Sequence, residues 1–496
     1  MKKLGMFVLG FAALLFAANV AQAAAASTDD SDNKFTIHGE VRFRGEFWNN
    51  LHDFTDTADP GQLSFDSNDS FDMFPYRVRL AAKGELGHDI WVYGEFQNAG
   101  VAGNRFSETE PLLGGNDTLI NGGSETILYQ GYVKLKDIGS SNVDLTIGRQ
   151  ELVFDRGLHF SSLDFYNGIS HDGVVADWDW DNMSFSGFWL RASESNTVFS
   201  FLNAPAGADN DVLGAHWKMM IGKDDDQDVA AYAFYQTQNT GAITGSQDRG
   251  GIYTIGGRWG KMVHGQSGWS WNAEASYQFG DFSCYFFGNN PTGDCSATNT
   301  KQTLDQKAWV FEGSLGYTWH SGSTDQKVWG GTTWASGDDD PNDQDQSAFT
   351  PLYTDFHNRL GYADLFTISN IQAYNVGYKL TLDDKHVFGA TYYLFKQMEH
   401  ETDTLSPLTF GLTGDSVADA CFNGTTPPAG ESCSKDLGQE LDLYYNYNMT
   451  ENFSFDTALA WFDPGDAVED HWSTFGLEDA GGDAAWRLTA QARARF

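Results

Sequence analysis

Residues 484–496 read AAWRLTAQARARF, and they alternate. Ala484, Trp486, Leu488, Ala490, Ala492, Ala494 and Phe496 share one parity; Arg487, Thr489, Gln491, Arg493 and Arg495 share the other. A period of two sends the two sets to opposite faces of a β-strand. One face suits lipid and the other a polar interior, which is the pattern of a strand in a membrane-spanning sheet.

The pattern recurs along the chain. Phe35, Ile37, Gly39, Val41, Phe43, Gly45 and Phe47 oppose Thr36, His38, Glu40, Arg42, Arg44 and Glu46. Tyr76, Val78, Leu80 and Ala82 oppose Arg77, Arg79 and Lys83. About eighteen such segments are read, centred near residues 41, 80, 93, 131, 146, 173, 188, 214, 233, 256, 274, 313, 331, 376, 391, 445, 457 and 490. Alternation is weakest around Gly168–Asp177 and Val328–Trp334. The joints alternate in length. Short ones fall at Gly87-His88-Asp89, Trp180-Asp181-Asn182, Asp383-Asp384-Lys385 and Thr450-Glu451-Asn452; long ones run near Asn49–Asp72, Gln97–Ser124, Gly280–Gln306, Ser336–Asn370 and Gln397–Gly438.

A leader fits this picture. Lys2 and Lys3 precede an apolar run from Met6 to Val20, followed by Ala21-Gln22-Ala23. Residues 1–23 therefore read as a cleaved signal peptide, with Ala24, Ala25 or Ala26 as alternative starts. The run is short for a membrane anchor. Beyond it no stretch approaches the roughly 18–20 apolar residues of a spanning helix. Aromatics make up 15% of the chain, which has 54 glycines and a negative mean hydropathy. Half-apolar barrel strands explain all three. The expectation is an all-β fold: a transmembrane antiparallel up-and-down β-barrel with short periplasmic turns and long extracellular loops. Residues 24–33 form a short periplasmic segment and residues 34–496 the single barrel. Its closing strand resembles those of bacterial outer-membrane barrels, whose terminal Phe serves assembly.

A net charge of −38 argues against nucleic-acid binding. The acids concentrate in loops, so they say little about the interior. Asp338, Asp339, Asp340, Asp343 and Asp345 offer oxygens to Ca²⁺, but the spacing is not an EF-hand, and a solvated loop is the plainer reading. Cys284 with Cys295 and Cys421 with Cys433 read as two local disulfides in an exported protein. Zinc is disfavoured because no His pair lies nearby at ligand spacing. No nucleophile elbow, zinc helix or phosphate loop is present. Neither catalysis, a cofactor nor a metal is expected. Trp91, Trp269, Trp309, Tyr445 and Trp461 suit an interface belt, or stacking on sugar rings.

Closure places the last strand beside the first. Arg487, Arg493 and Arg495 then join Arg42, Arg44, Arg77 and Arg79 on one inner wall, with Lys83 nearby. An Arg facing lipid at mid-membrane costs about 2–4 kcal/mol, so these residues are placed in the lumen. Guanidiniums there suit an anion path. A structural ladder with Glu40, Glu46, Glu85, Glu95 and Asp144 is compatible with it.

A further stretch, TIGRQELVFDR at residues 146–156, precedes Asp172-Gly173-Val174. The run through Gly148, Arg149, Gln150, Glu151 and Leu152, then Arg156, Asp172 and Gly173, resembles the alginate-export family of outer-membrane porins. That resemblance implies an eighteen-stranded barrel passing an anionic polysaccharide such as a polyuronate, with Arg149 and Arg156 on the path near its outer half. Loop anchoring by salt bridge is the plain alternative for both. Every inner turn reads as short, so no periplasmic plug is visible and the direction of transport stays open. A small-solute anion porin and an adhesion or receptor barrel acting through its loops are the competing functions. The expected partners are outer-membrane lipid and lipopolysaccharide, the anionic substrate and periplasmic export proteins.

Overall fold

The computed structural model describes residues 33–51, 71–87, 89–102, 126–193, 210–222, 226–240, 248–263, 265–283, 303–339, 345–400, 434–468 and 482–496. The leader and all four cysteines lie outside the described residues. Among the described residues, eighteen long strands run antiparallel, each to its neighbour, in one sheet. Two short pieces add local pairings, Phe71–Met73 with Glu46–Trp48 and Asp345–Gln346 with Asp305–Gln306. Each of the eighteen centres read from the sequence falls within a different long strand.

The sheet closes on itself. The first strand, Asn33–Asn49, pairs on one side with Pro75–Leu86, from Asn33↔Leu86 to Phe43↔Tyr76. On the other it pairs with the last, Ala485–Arg495, from Glu40↔Arg495 to Asn49↔Trp486. No helix of the described residues is long and apolar enough to cross a membrane. Closure satisfies the backbone hydrogen bonds that a bilayer would leave unmet at an open edge.

Burial is inverted relative to a water-soluble sheet. Val78 and Leu80 are 41% and 53% exposed, whereas Arg77 and Arg79 between them are 0% and 9% exposed. The short turns follow local chemistry. Asp383 and Asp384 both take positive φ, and the Lys385 N–H donates to the Leu382 carbonyl at 3.0 Å. That is a type I′ hairpin turn, which Asp tolerates at both central positions.

The apolar core lies inside the cylinder. Residues 151–170 and 345–370, the second within the long joint Ser336–Asn370, fold inward. Leu158, Phe160, Tyr166, Phe349, Phe356, Leu360, Leu365 and Phe366 are buried there. Burying each such side chain contributes about 1.5–3 kcal/mol, which favours packing over exposure at the rim. The two segments bond to each other: the Ser161 N–H donates to the Tyr353 carbonyl at 3.1 Å, and the Tyr353 N–H to the His159 carbonyl at 2.9 Å.

Candidate functional site

At the closure seam Arg42 lies in register with Arg493 on one side and Arg77 on the other. Like charges set directly opposite are destabilising unless compensated. The inward segment supplies the compensation. Asp164 reaches Arg77 at 2.6 Å and Arg493 at 3.2 Å, and Arg77 also holds Glu40 at 2.6 Å. Arg42 donates to the carbonyls of Asp164 and Tyr166, Arg44 to that of Phe165 at 2.6 Å, and Arg79 to that of Asn167 at 2.9 Å. Burial pushes the Asp164 carboxyl up, but Arg77, Arg493 and Arg42 outweigh it and hold it well below the usual range.

The remaining seam cations are also engaged. Arg487 binds Asp364 and, at 2.8 Å, Glu46. Arg495 lies 3.5 Å from Glu40. Lys83 pairs with Glu85 at 2.8 Å, its ammonium 3.4 Å from the Trp91 ring centroid. Asp144 pairs with Lys134 rather than with an arginine. The wall therefore clamps the inward segments. Sequence reasoning missed Asp164 and Asp364, because nothing local marks a loop acid that meets a strand so distant in the chain.

Opposite the seam the second anchorage is Asp155. It accepts from His216 at 2.7 Å and faces Lys218 at 3.3 Å and Arg258 at 3.8 Å. His159, next along the segment, contacts the Ser276 hydroxyl at 3.0 Å, and burial, then Arg359, pushes its pKa down to about 3. The segment is thus tied to opposing walls and crosses the interior.

A cavity of about 570 Å³ lies beside it. Six of its lining residues are basic: Arg156, Arg258, Lys261, Lys327, Arg359 and Lys379. Arg258 is paired with Asp228, Lys261 with Asp226 at 2.5 Å, and Arg359 with Glu312 at 2.7 Å. Arg156, Lys327 and Lys379 have no ion-pair partner among the described residues. Arg359 donates to the Arg156 carbonyl at 2.7 Å, which fixes the backbone while the Arg156 side chain stays exposed. A smaller cavity of about 320 Å³ holds Arg44, Arg493, Asp164 and His357 and shares Asn358, Tyr362 and Tyr444 with the larger.

Arg149 needs correction as a lumen residue. It has the parity of Leu145 and exposed Ile147, whereas Thr146 and Gln150 are buried. Its guanidinium therefore sits on the outer face, bidentate to Asp172 at 2.9 and 2.6 Å. The outer face also carries Trp269 and Trp461, 56% and 40% exposed, while Trp91 packs beneath Lys83. In the acidic loop, Asp345 pairs with Lys307 at 2.5 Å and Asp338 is buried. Asp340 and Asp343 lie outside the described residues.

A closed barrel with an apolar exterior and a polar inner wall, narrowed by inward segments, is an outer-membrane channel protein. The chain belongs to the alginate export family, whose match spans residues 62–475. No curated protein matches it. Among solved structures it is similar to OccAB2 of Acinetobacter baumannii, with 10% identity, a TM-score of 0.54 and coverage of 93% of this chain and 98% of that one. It is also similar to OccAB1 of the same organism, with 9% identity, a TM-score of 0.52 and coverage of 95% and 100%. OccD3 (OpdP) of Pseudomonas aeruginosa gives 10% identity, a TM-score of 0.50 and coverage of 95% and 93%. At such identities the likeness is one of fold.

Proposed function

We propose that this channel passes an anionic oligo- or polysaccharide across the outer membrane along a basic interior. The observation that carries the reading is that Arg156, Lys327 and Lys379 line one cavity and have no ion-pair partner among the described residues. A charge in a narrow passage between low-dielectric walls counts for more than one at an open surface. Arg adds bidentate recognition of carboxylates. In this reading Arg44 and Arg493, beside the smaller cavity, extend the path, while Arg42, Arg77, Arg79 and Arg487 hold its walls in place. Lipid and lipopolysaccharide would surround the exposed apolar band, and periplasmic export proteins would meet the short-turn side.

Passage of single sugar acids or short oligomers is the second reading. It is favoured by the two segments that cross the interior and divide it into modest cavities. Planar-bilayer recordings test both. Anion-selective reversal potentials are expected and cation selectivity would overturn the proposal. Block by long polyuronate supports the polymer; block by monomer alone supports the second reading.

A further inference from the structure

Lys327 and Lys379 are direct cross-strand partners, on Thr324–Ala335 and Ile371–Leu382. Both side chains line the larger cavity. The one acid on these two strands, Asp325, also lines the cavity and is paired with His320 at 2.5 Å. Two ammoniums set opposite each other destabilise a sheet, and a partner acid on a neighbouring strand would remove that cost. Among the described residues there is none. The seam shows the contrast, since Arg42, Arg77 and Arg493 share Asp164.

Two positions further along the same strand is Trp329, which also lines the cavity. Its register partners are Gly316 on one side and Gly377 on the other. A Cβ built on Gly377 would collide with the indole, so the ring lies over that glycine. A Cβ on Gly316 would come within 3.0 Å of the Lys327 Cε, so the lysine stem lies over the second glycine. The Lys327 ammonium is 6.0 Å from the indole centroid. Two glycines thus make room for a flat aromatic surface bordered by a pair of uncompensated cations.

We propose that Trp329, Lys327 and Lys379 form a subsite for a sugar acid, a pyranose ring bearing a carboxylate. The C–H face of the ring packs on the indole, and the carboxylate sits between the two ammoniums. Neither half suffices alone: the lysines would accept any small anion, and the indole any pyranose. This inference rests on the channel reading above and assigns its substrate a binding place.

The test is block of ion current by D-glucuronate, D-glucose and acetate, with reversal potential recorded in parallel. In the wild type, glucuronate should block at concentrations where glucose and acetate do not. Trp329→Leu should raise the half-blocking concentration by about tenfold, the scale of one aromatic contact, with the reversal potential unchanged. Trp329→Phe, which keeps a ring, should retain most of the block and shows that the barrel accepts substitution at this position. Lys327→Gln combined with Lys379→Gln should remove the block and lower anion selectivity. Equal block of wild type and Trp329→Leu, or equal block by acetate and glucuronate, would overturn the subsite. The reversal potential separately reports on the anion-channel reading.

Discussion

Asp364, on the inward segment 345–370, forms an ion pair with Arg487 of the last strand that is buried at both ends. The same guanidinium reaches Glu46 on the first strand at 2.8 Å, and His357 holds the other Asp364 oxygen at 2.7 Å. One residue thus joins the closure seam to a segment that fills the interior. Removing one partner of a buried pair costs up to about 3–5 kcal/mol, because the other charge is left without compensation. Asp364→Ala should therefore loosen the segment, and single-channel conductance should rise or become noisy. A conductance trace matching the wild type would show that the pair does not hold it.

Acid should loosen both inward segments, in two stages. His159 has a folded pKa of about 3, against roughly 6.5 when exposed. A depressed imidazole favours the packed state above its exposed pKa, and this contribution fades as pH falls from about 6.5 toward 3. At Asp364, burial raises the carboxyl, but His357 and Arg487 outweigh it and hold it below the usual range. Its stabilisation is present above about pH 4 and is lost only as pH drops through the lowered folded value. His159→Gln should flatten the upper stage and leave the lower one. Protease nicking of the segments across a pH series measures this; a variant with the wild-type profile would exclude His159.

Arg149 and Arg156 lie seven positions apart and should behave differently. Arg156→Gln removes an unpaired cation from the cavity, and the reversal potential should shift toward zero. Arg149→Gln removes half of an exterior pair with Asp172, so selectivity should not change. An exposed pair of this kind contributes about 0–1 kcal/mol, so a small loss of thermal stability is the most it should show. Equal shifts in reversal potential would contradict the placement of Arg149 outside.

Gly39 and Phe496 exchange two backbone hydrogen bonds, at 2.8 and 3.0 Å, where the last residue meets the first strand. A Cβ on Gly39 would run into the Phe496 ring. Gly39→Val should displace the ring and reduce the yield of folded barrel, as should deletion of Phe496. Together the two changes should cost little more than either alone, because they act on one contact. The folded fraction on unheated gels measures the yield; additive losses would separate the two residues.

The sequence alone determined the strands, their faces and the closure. A half-lipid, half-water environment writes itself into every second residue, and the short turns carry their own chemistry, as at Asp383-Asp384. It even gave the parity of Arg149, which its charge obscured. The poor alternation noted at Val328–Trp334 marks an inward Trp329 where a polar side chain would continue the pattern. Tertiary structure decided what the interior contains. Which acid neutralises which guanidinium depends on segments 151–170 and 345–370 folding across to strands far away in the chain. Asp164 meets Arg77 and Asp364 meets Arg487 over sequence separations that leave no local trace. Which cations are left without an acid emerges only after those pairs have formed.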